Sequence, residues 1–173
     1  MSFNANNATN FTLYYNILDY WKTIMSNHPS LEQTSQGDIF QFDDNEYPKY
    51  PLGNVQITNV DFTDSVTTYT IQLIIADKVK LKNNESVGER NRMSVPYEGT
   101  DDVVDIWANT LAIINDLVSY TQYSAETTGI QINSTIRNVP FQDNFDNGLA
   151  GFVSTFDIIV HNNRPRCLYN LLA

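Results

Sequence analysis

TDDVVDIWANTLAIINDLVSY, residues 100–120, is the longest segment in which apolar residues keep a helical period. The spacing predicts one long helix. Thr100 is placed to cap it, Asp101 and Asp102 bring negative charge to the first turn where the helix dipole favours it, and no Gly or Pro interrupts the segment as far as Tyr120. Asp102, Asp105, Asn109, Ala112, Asp116 and Ser119 recur at steps of three and four and form one narrow polar stripe. Around the rest of the circumference stand Val103, Val104, Ile106, Trp107, Leu111, Ile113, Ile114, Leu117 and Val118, a wider apolar surface than the roughly 100° stripe of an ordinary surface helix. Such a helix needs cover on two sides. A sheet supplies one side, and the other must come from a second helix of the same chain or from a neighbouring subunit. Trp107, the largest of these side chains, is expected to anchor the core.

Composition narrows the class. At 173 residues the chain is long enough for a single domain over residues 1–173 that buries roughly 70% of the surface its unfolded form exposes. Hydrophobic residues at 42% and aromatics at 12% place it among globular, β-containing proteins rather than disordered ones. Twenty acidic residues against ten basic ones give a net charge of −10, which argues against a general nucleic-acid binder or an anionic-membrane binder. It leaves room for a protein that DNA passes without sticking. The one cysteine, Cys167, excludes an intrachain disulfide and a thiolate metal cluster, as expected for a chain made in a reducing cytoplasm. The first residues, MSFNANNATN, lack a basic and apolar leader, and no stretch reaches the length of a membrane span, so neither secretion nor membrane insertion is expected.

Outward from the helix the chain alternates helix and strand signals. Residues 1–9 read as a loose arm, and from Asn10 onward Tyr14, Ile17, Leu18, Trp21, Ile24 and Met25 share one helical face that should end near Asn27, ahead of Pro29. After a polar link, Ile39 to Phe42 reads as a short strand, and Asp43, Asp44 and Glu46 mark an acidic loop before Pro48 and Pro51. Val55 and Ile57, then Tyr69, Ile71, Leu73 and Ile75, alternate with polar residues on either side of a turn at residues 61–65, the pattern of a hairpin with one buried face. Residues 77–96 carry Lys78, Lys80 and Lys82 at period two and Arg90 and Arg92 on the return. Val79, Leu81, Met93 and Val95 occupy the opposite face. This suits a β-arm that continues the preceding strand. Beyond the long helix, Ile130, Ile132 and Ile136, and later Ala150, Phe152, Phe156, Ile158 and Val160, form a second hairpin across a long loop, NVPFQDNFDNGLAG, in which Asn147-Gly148 suits positive φ. The order predicts an α+β domain: an antiparallel β-sheet, two main helices packed on one face, and a protruding β-arm.

Chemistry is sparse. His28 and His161 belong to no HExxH or HxH pattern, and there is neither a GxSxG elbow nor a P-loop. Residues 143–148, DNFDNG, imitate a calcium loop, but Phe145 stands where an oxygen ligand is required, so a turn is the simpler reading. Glu98, Asp101 and Asp102 are explained by capping alone, and Cys167 reads as a small apolar residue. No catalytic residue, metal ligand or cofactor site is assigned, and an enzyme is not expected.

The series of an amphipathic first helix, a strand, YPLGNVQITNVDF, a hairpin ending TIQLIIADKV, a charged arm, the DDVVDIWANTLAIINDL helix and a last hairpin resembles head-to-tail connector proteins of tailed bacteriophages. The likeness is to the tail-terminator or neck-ring type. The phrases ADKVKLKNNESVGERN and FQDNFDNGLAGF resemble small virion proteins of phages infecting Bacteroidetes, including crAss-like ones. The resemblance implies a tail-terminator-like fold and a structural virion protein, made in the host cytoplasm and placed at the head-tail junction. It implies a homo-oligomeric ring, commonly of six or twelve copies, between a portal or adaptor and tail proteins, through which DNA passes without specific binding. No cofactor or enzymatic residue carries over. Another tail or baseplate subunit is the alternative of the same kind, and a small-ligand or glycan-binding β-rich domain is the alternative of another. In a ring, opposite charges on two patches set the direction of contact. The expected interface therefore pairs Lys78, Lys80, Lys82, Arg90 and Arg92 of the arm with Asp43, Asp44, Glu46, Asp101, Asp102 and Asp105.

Overall fold

The structure, a computed structural model, describes residues 10–37, 48–80, 102–142 and 148–161. Helix α1 (Asn10–Ser26) leads to strand β1 (Gln33–Gln36), the hairpin β2 (Leu52–Phe62) and β3 (Val66–Lys78), the long helix α2 (Val103–Tyr123) and the single turn α3 (Ala125–Thr128). Strands β4 (Ile130–Ile132), β5 (Arg137–Gln142) and β6 (Leu149–His161) complete the order. All six strands join one sheet in the order β1-β2-β3-β6-β4, with β5 beside β4 on the same edge of β6. Every pairing is antiparallel except β1 with β2.

Strand β6 is the spine. It pairs with β3 along its whole length, from Lys78↔Leu149 to Val66↔His161, and on its other edge with β4 at one end and β5 at the other. The alternation Tyr69, Ile71, Leu73, Ile75 of β3 and Phe156, Ile158, Val160 of β6 puts those side chains on one face, where both helices cover them. One cluster runs from Ile17 and Trp21 of α1 through these strands to Ile113, Ile114, Leu117 and Val118 of α2. Trp21 is 0% exposed and meets Phe156 with ring centroids 5.3 Å apart. Tyr69 lies in the same core, and burial raises its phenol above its ordinary value near 10 by disfavouring the charged form. The α+β class, the mostly antiparallel sheet and the two main helices on one face are as the sequence pattern requires.

Several details differ from expectation, each for a local reason. The long helix starts at Val103, not after Thr100, and its N-cap is Asp102, whose side chain makes no capping bond. Its buried face consists of Val103, Ile106, Thr110, Ile113, Ile114, Leu117, Val118 and Thr121, while Leu111 is on the exposed side. The two threonines sit in the core because each hydroxyl donates to the carbonyl four residues back, Ile106 O at 2.8 Å and Leu117 O at 3.0 Å. The second side of α2 is met within the chain, by α1. The Tyr20 hydroxyl lies 3.2 Å from Thr121 Oγ1 and 3.1 Å from Ser124 Oγ. Trp107 is half-buried rather than a core anchor, and its Nε1–H donates to Phe141 O at 3.0 Å.

Residues expected in the long loop form β5 instead. Pro140 is tolerated there because β5 is an edge strand whose outer side needs no ladder donor. Strand β1, QTSQ, has no apolar alternation and reads in sequence as a polar link; its place is held by a parallel ladder to β2 and by Asn54 Nδ2 donating to Ser35 Oγ at 2.9 Å. The expected arm over residues 1–9, the strand at Ile39 to Phe42, the calcium-like loop up to residue 147, Cys167 and most of the β-arm lie outside the described residues.

Candidate subunit interface

The described part of the charged arm is its root. Strand β3 runs to Lys78 and pairs there with Leu149, and the ladder continues one step as Val79 N–H donates to Gly148 O at 2.7 Å. Gly148 adopts φ 53°, in the left-handed region that the Asn147-Gly148 pair suits. Period two then sorts the side chains. Val79 turns inward to a small cluster of Val103, Ile106 and Ala150 that also takes Trp107, while Lys78 and Lys80 are exposed.

Asp102 closes the root. Its Oδ1 accepts the Lys80 backbone N–H at 2.8 Å, so the residue that opens α2 also holds the strand that leaves the sheet. Asp77 Oδ1 accepts the Lys78 N–H at 2.7 Å in the same way. Among the described residues, the Lys78 and Lys80 ammonium groups meet no carboxylate at ion-pair distance. Their exposure and the rooted backbone beneath them leave two cations carried on a fixed ledge.

Of the residues expected at the interface, Lys78, Lys80, Asp102 and Asp105 are described. Asp102 is at the arm's own root, its carboxylate on the Lys80 backbone N–H, and Asp105 follows in the first turn of α2. Asp43, Asp44, Glu46, Lys82, Arg90, Arg92 and Asp101 lie outside the described residues. The Lys80 to Asp102 contact had no signal in the sequence, because it joins positions 22 apart through a chain reversal that no local pattern records.

Two further contacts set the geometry of the helices. His28 Nδ1 accepts the Ser30 N–H at 3.2 Å, which leaves the proton of a neutral ring on Nε2, and Nε2 stands 3.6 Å from Asp116 Oδ2. Tyr20 meets Thr121 and Ser124 while His28 meets Asp116, so α1 and α2 run antiparallel. Among the described residues no three of His, Cys, Asp and Glu come together as a metal site requires, and no helix is long and apolar enough to cross a membrane. No protein-family model matches the chain, and no curated protein matches it at a significant level.

Proposed function

We propose that this chain is a structural subunit of a ring in the head-to-tail connector of a tailed bacteriophage, of the neck or tail-terminator type, through which DNA passes. The observation that supports this reading is the rooting of the arm: a charged extension of β3 is bonded to Asp102, the N-cap of α2, and packed through Val79 on the body. A loop that merely solvates itself needs no such foundation. A subunit that projects a strand toward its neighbour does, because a fixed root lowers the conformational entropy lost on contact. The order of elements and the absence of a catalytic motif in the sequence suit the same reading. The partners it implies are further copies of this chain, a portal or adaptor below and tail proteins above.

The test is assembly. Purified protein, alone or with its portal, is examined by light scattering and negative-stain imaging, and virions are examined for the protein at the head-tail junction. A mass at a multiple of 19.7 kDa with ring-shaped particles is expected. The variant with Lys78, Lys80 and Lys82 changed to Glu should lose most of that assembly at low ionic strength. A chain that stays monomeric with the portal present and is missing from the junction overturns the reading.

A further inference from the structure

The end of the molecule opposite the arm carries a second surface. Strand β3 has 13 residues, so Val66 lies about 40 Å from Lys78 along the sheet. At the Val66 end the hairpin tip places Phe62 opposite Thr67, Thr67 pairs with Val160, and Val160 pairs with Ile130, the first strand residue after α2 and α3. The C-terminus of α2 is therefore at this end, with Tyr120 and Tyr123 exposed, the latter to 91%. Because α1 runs antiparallel to α2 and Tyr20 sits beside Ser124, Tyr14 and Tyr15 fall roughly 8 Å further in the same direction. They too are exposed, and their rings meet edge to face at 6.0 Å. Five exposed aromatic side chains thus gather where three exposed acids also stand: Asp61, Asp64 and Glu126. Asp61 is held by Asn59, whose Nδ2 donates to it at 2.8 Å. Lys22 of α1, exposed two residues past Tyr20, sets one cation against these three acids.

We propose that this aromatic and acidic end receives the lysine-bearing arm root of a second copy of the chain. The proposal rests on the ring reading and names the surface that the arm meets. Complementarity carries it. Lysine stems lie well on tyrosine faces, where the ring quadrupole attracts the ammonium, and the carboxylates beside them complete the match. The separation of about 40 Å prevents Lys78 and Lys80 from reaching their own aromatic end, so the contact joins two copies. Joining different surfaces, it is heterologous, as a ring or a stack requires. This contact puts the counterpart at the far end of the sheet rather than at Asp102, which stands at the arm's own root.

Two measurements test this on the full chain. A photoreactive phenylalanine at Tyr123, in an equal mixture of light and isotopically heavy copies, should give light-to-heavy cross-links to the peptide containing Lys78, Lys80 and Lys82. Cross-links confined to residues 162–173, which come after β6 in the chain, or to other peptides, overturn the proposal. The second is a charge exchange. The variant with Lys78, Lys80 and Lys82 changed to Glu and the variant with Asp61, Asp64 and Glu126 changed to Lys should each associate at least tenfold more weakly than the parent at low salt, and mixing them should restore association. No recovery on mixing, with the parent still forming rings, overturns this contact and leaves the ring standing. A parent that never self-associates overturns both.

Discussion

Trp21 and Trp107 show how the same residue type takes different duties. Trp21 is enclosed by α1, α2 and the sheet, so Trp21→Ala should lower stability by about 3–5 kcal/mol in urea denaturation. Trp107 is half-buried and contributes a hydrogen bond to β5, so Trp107→Phe, which keeps most of the ring, should cost only about 1 kcal/mol. Equal losses from the two would contradict the packing described. Tyr69 adds a pH dependence whose sign comes from burial. Its folded-state pKa is raised, so below about pH 10 the phenol is neutral folded and unfolded and contributes no slope. Above that, the unfolded chain loses the proton first and stability falls as pH rises toward the folded value. Unfolding midpoints measured on either side of about pH 10 should fall less in Tyr69→Phe than in the parent; an identical fall would place the phenol in water.

At the scale of elements, the arm root depends on one side chain shared by two segments. Asp102→Ala removes the acceptor of the Lys80 N–H and the negative charge at the start of α2 together. Faster hydrogen exchange at the Lys80 amide and a loss of about 1 kcal/mol are expected. Asp102→Asn, which keeps an acceptor oxygen, should recover most of the protection. Unchanged exchange in the alanine variant would mean that Val79 alone holds the root. The β3 to β6 ladder has its own sensitive point at Gly151, where a Cβ would overlap the Ile75 carbonyl oxygen and crowd Ala76 Cα. Neither neighbour is a side-chain end that can turn away. Gly151→Ala should therefore cost about 1–3 kcal/mol or more, read as a lowered melting temperature, and a neutral result would show that the two strands are further apart.

For the molecule as a whole, the balance of charge governs any encounter with DNA. A net charge of −10 repels the phosphate backbone, and the arm's lysines are too few to reverse the long-range field. The purified protein should leave the mobility of double-stranded DNA unchanged at about 0.15 M salt. Retardation that weakens steeply with salt would reveal phosphate contacts and count against a wall that DNA slides past. The polarity of the body, with lysines at one end of the sheet and tyrosines and acids at the other, makes any assembly directional. In the proposed ring these two ends, and not the buried face already filled by both helices, would choose the neighbours.

The sequence alone determined the features that depend on period and on turn chemistry. The helices beginning at Asn10 and near Thr100, the β2 to β3 alternation, Gly148 at positive φ and the inward Val79 between outward Lys78 and Lys80 are all local consequences of side-chain spacing. Strand β1 was hidden because QTSQ lacks apolar alternation, and β5 because Pro140 reads as loop until an edge position excuses its missing donor. Only the tertiary structure decided which apolar residues count. Thr110 and Thr121 enter the core by returning their hydroxyls to the backbone, while Leu111 is left in solvent. It also decided which distant residues meet. Asp102 joins Lys80, and Phe62 shares an end with Tyr123, because chain reversals bring together residues far apart in sequence, and the distance between two such residues is set by the sheet's register rather than by anything written between them.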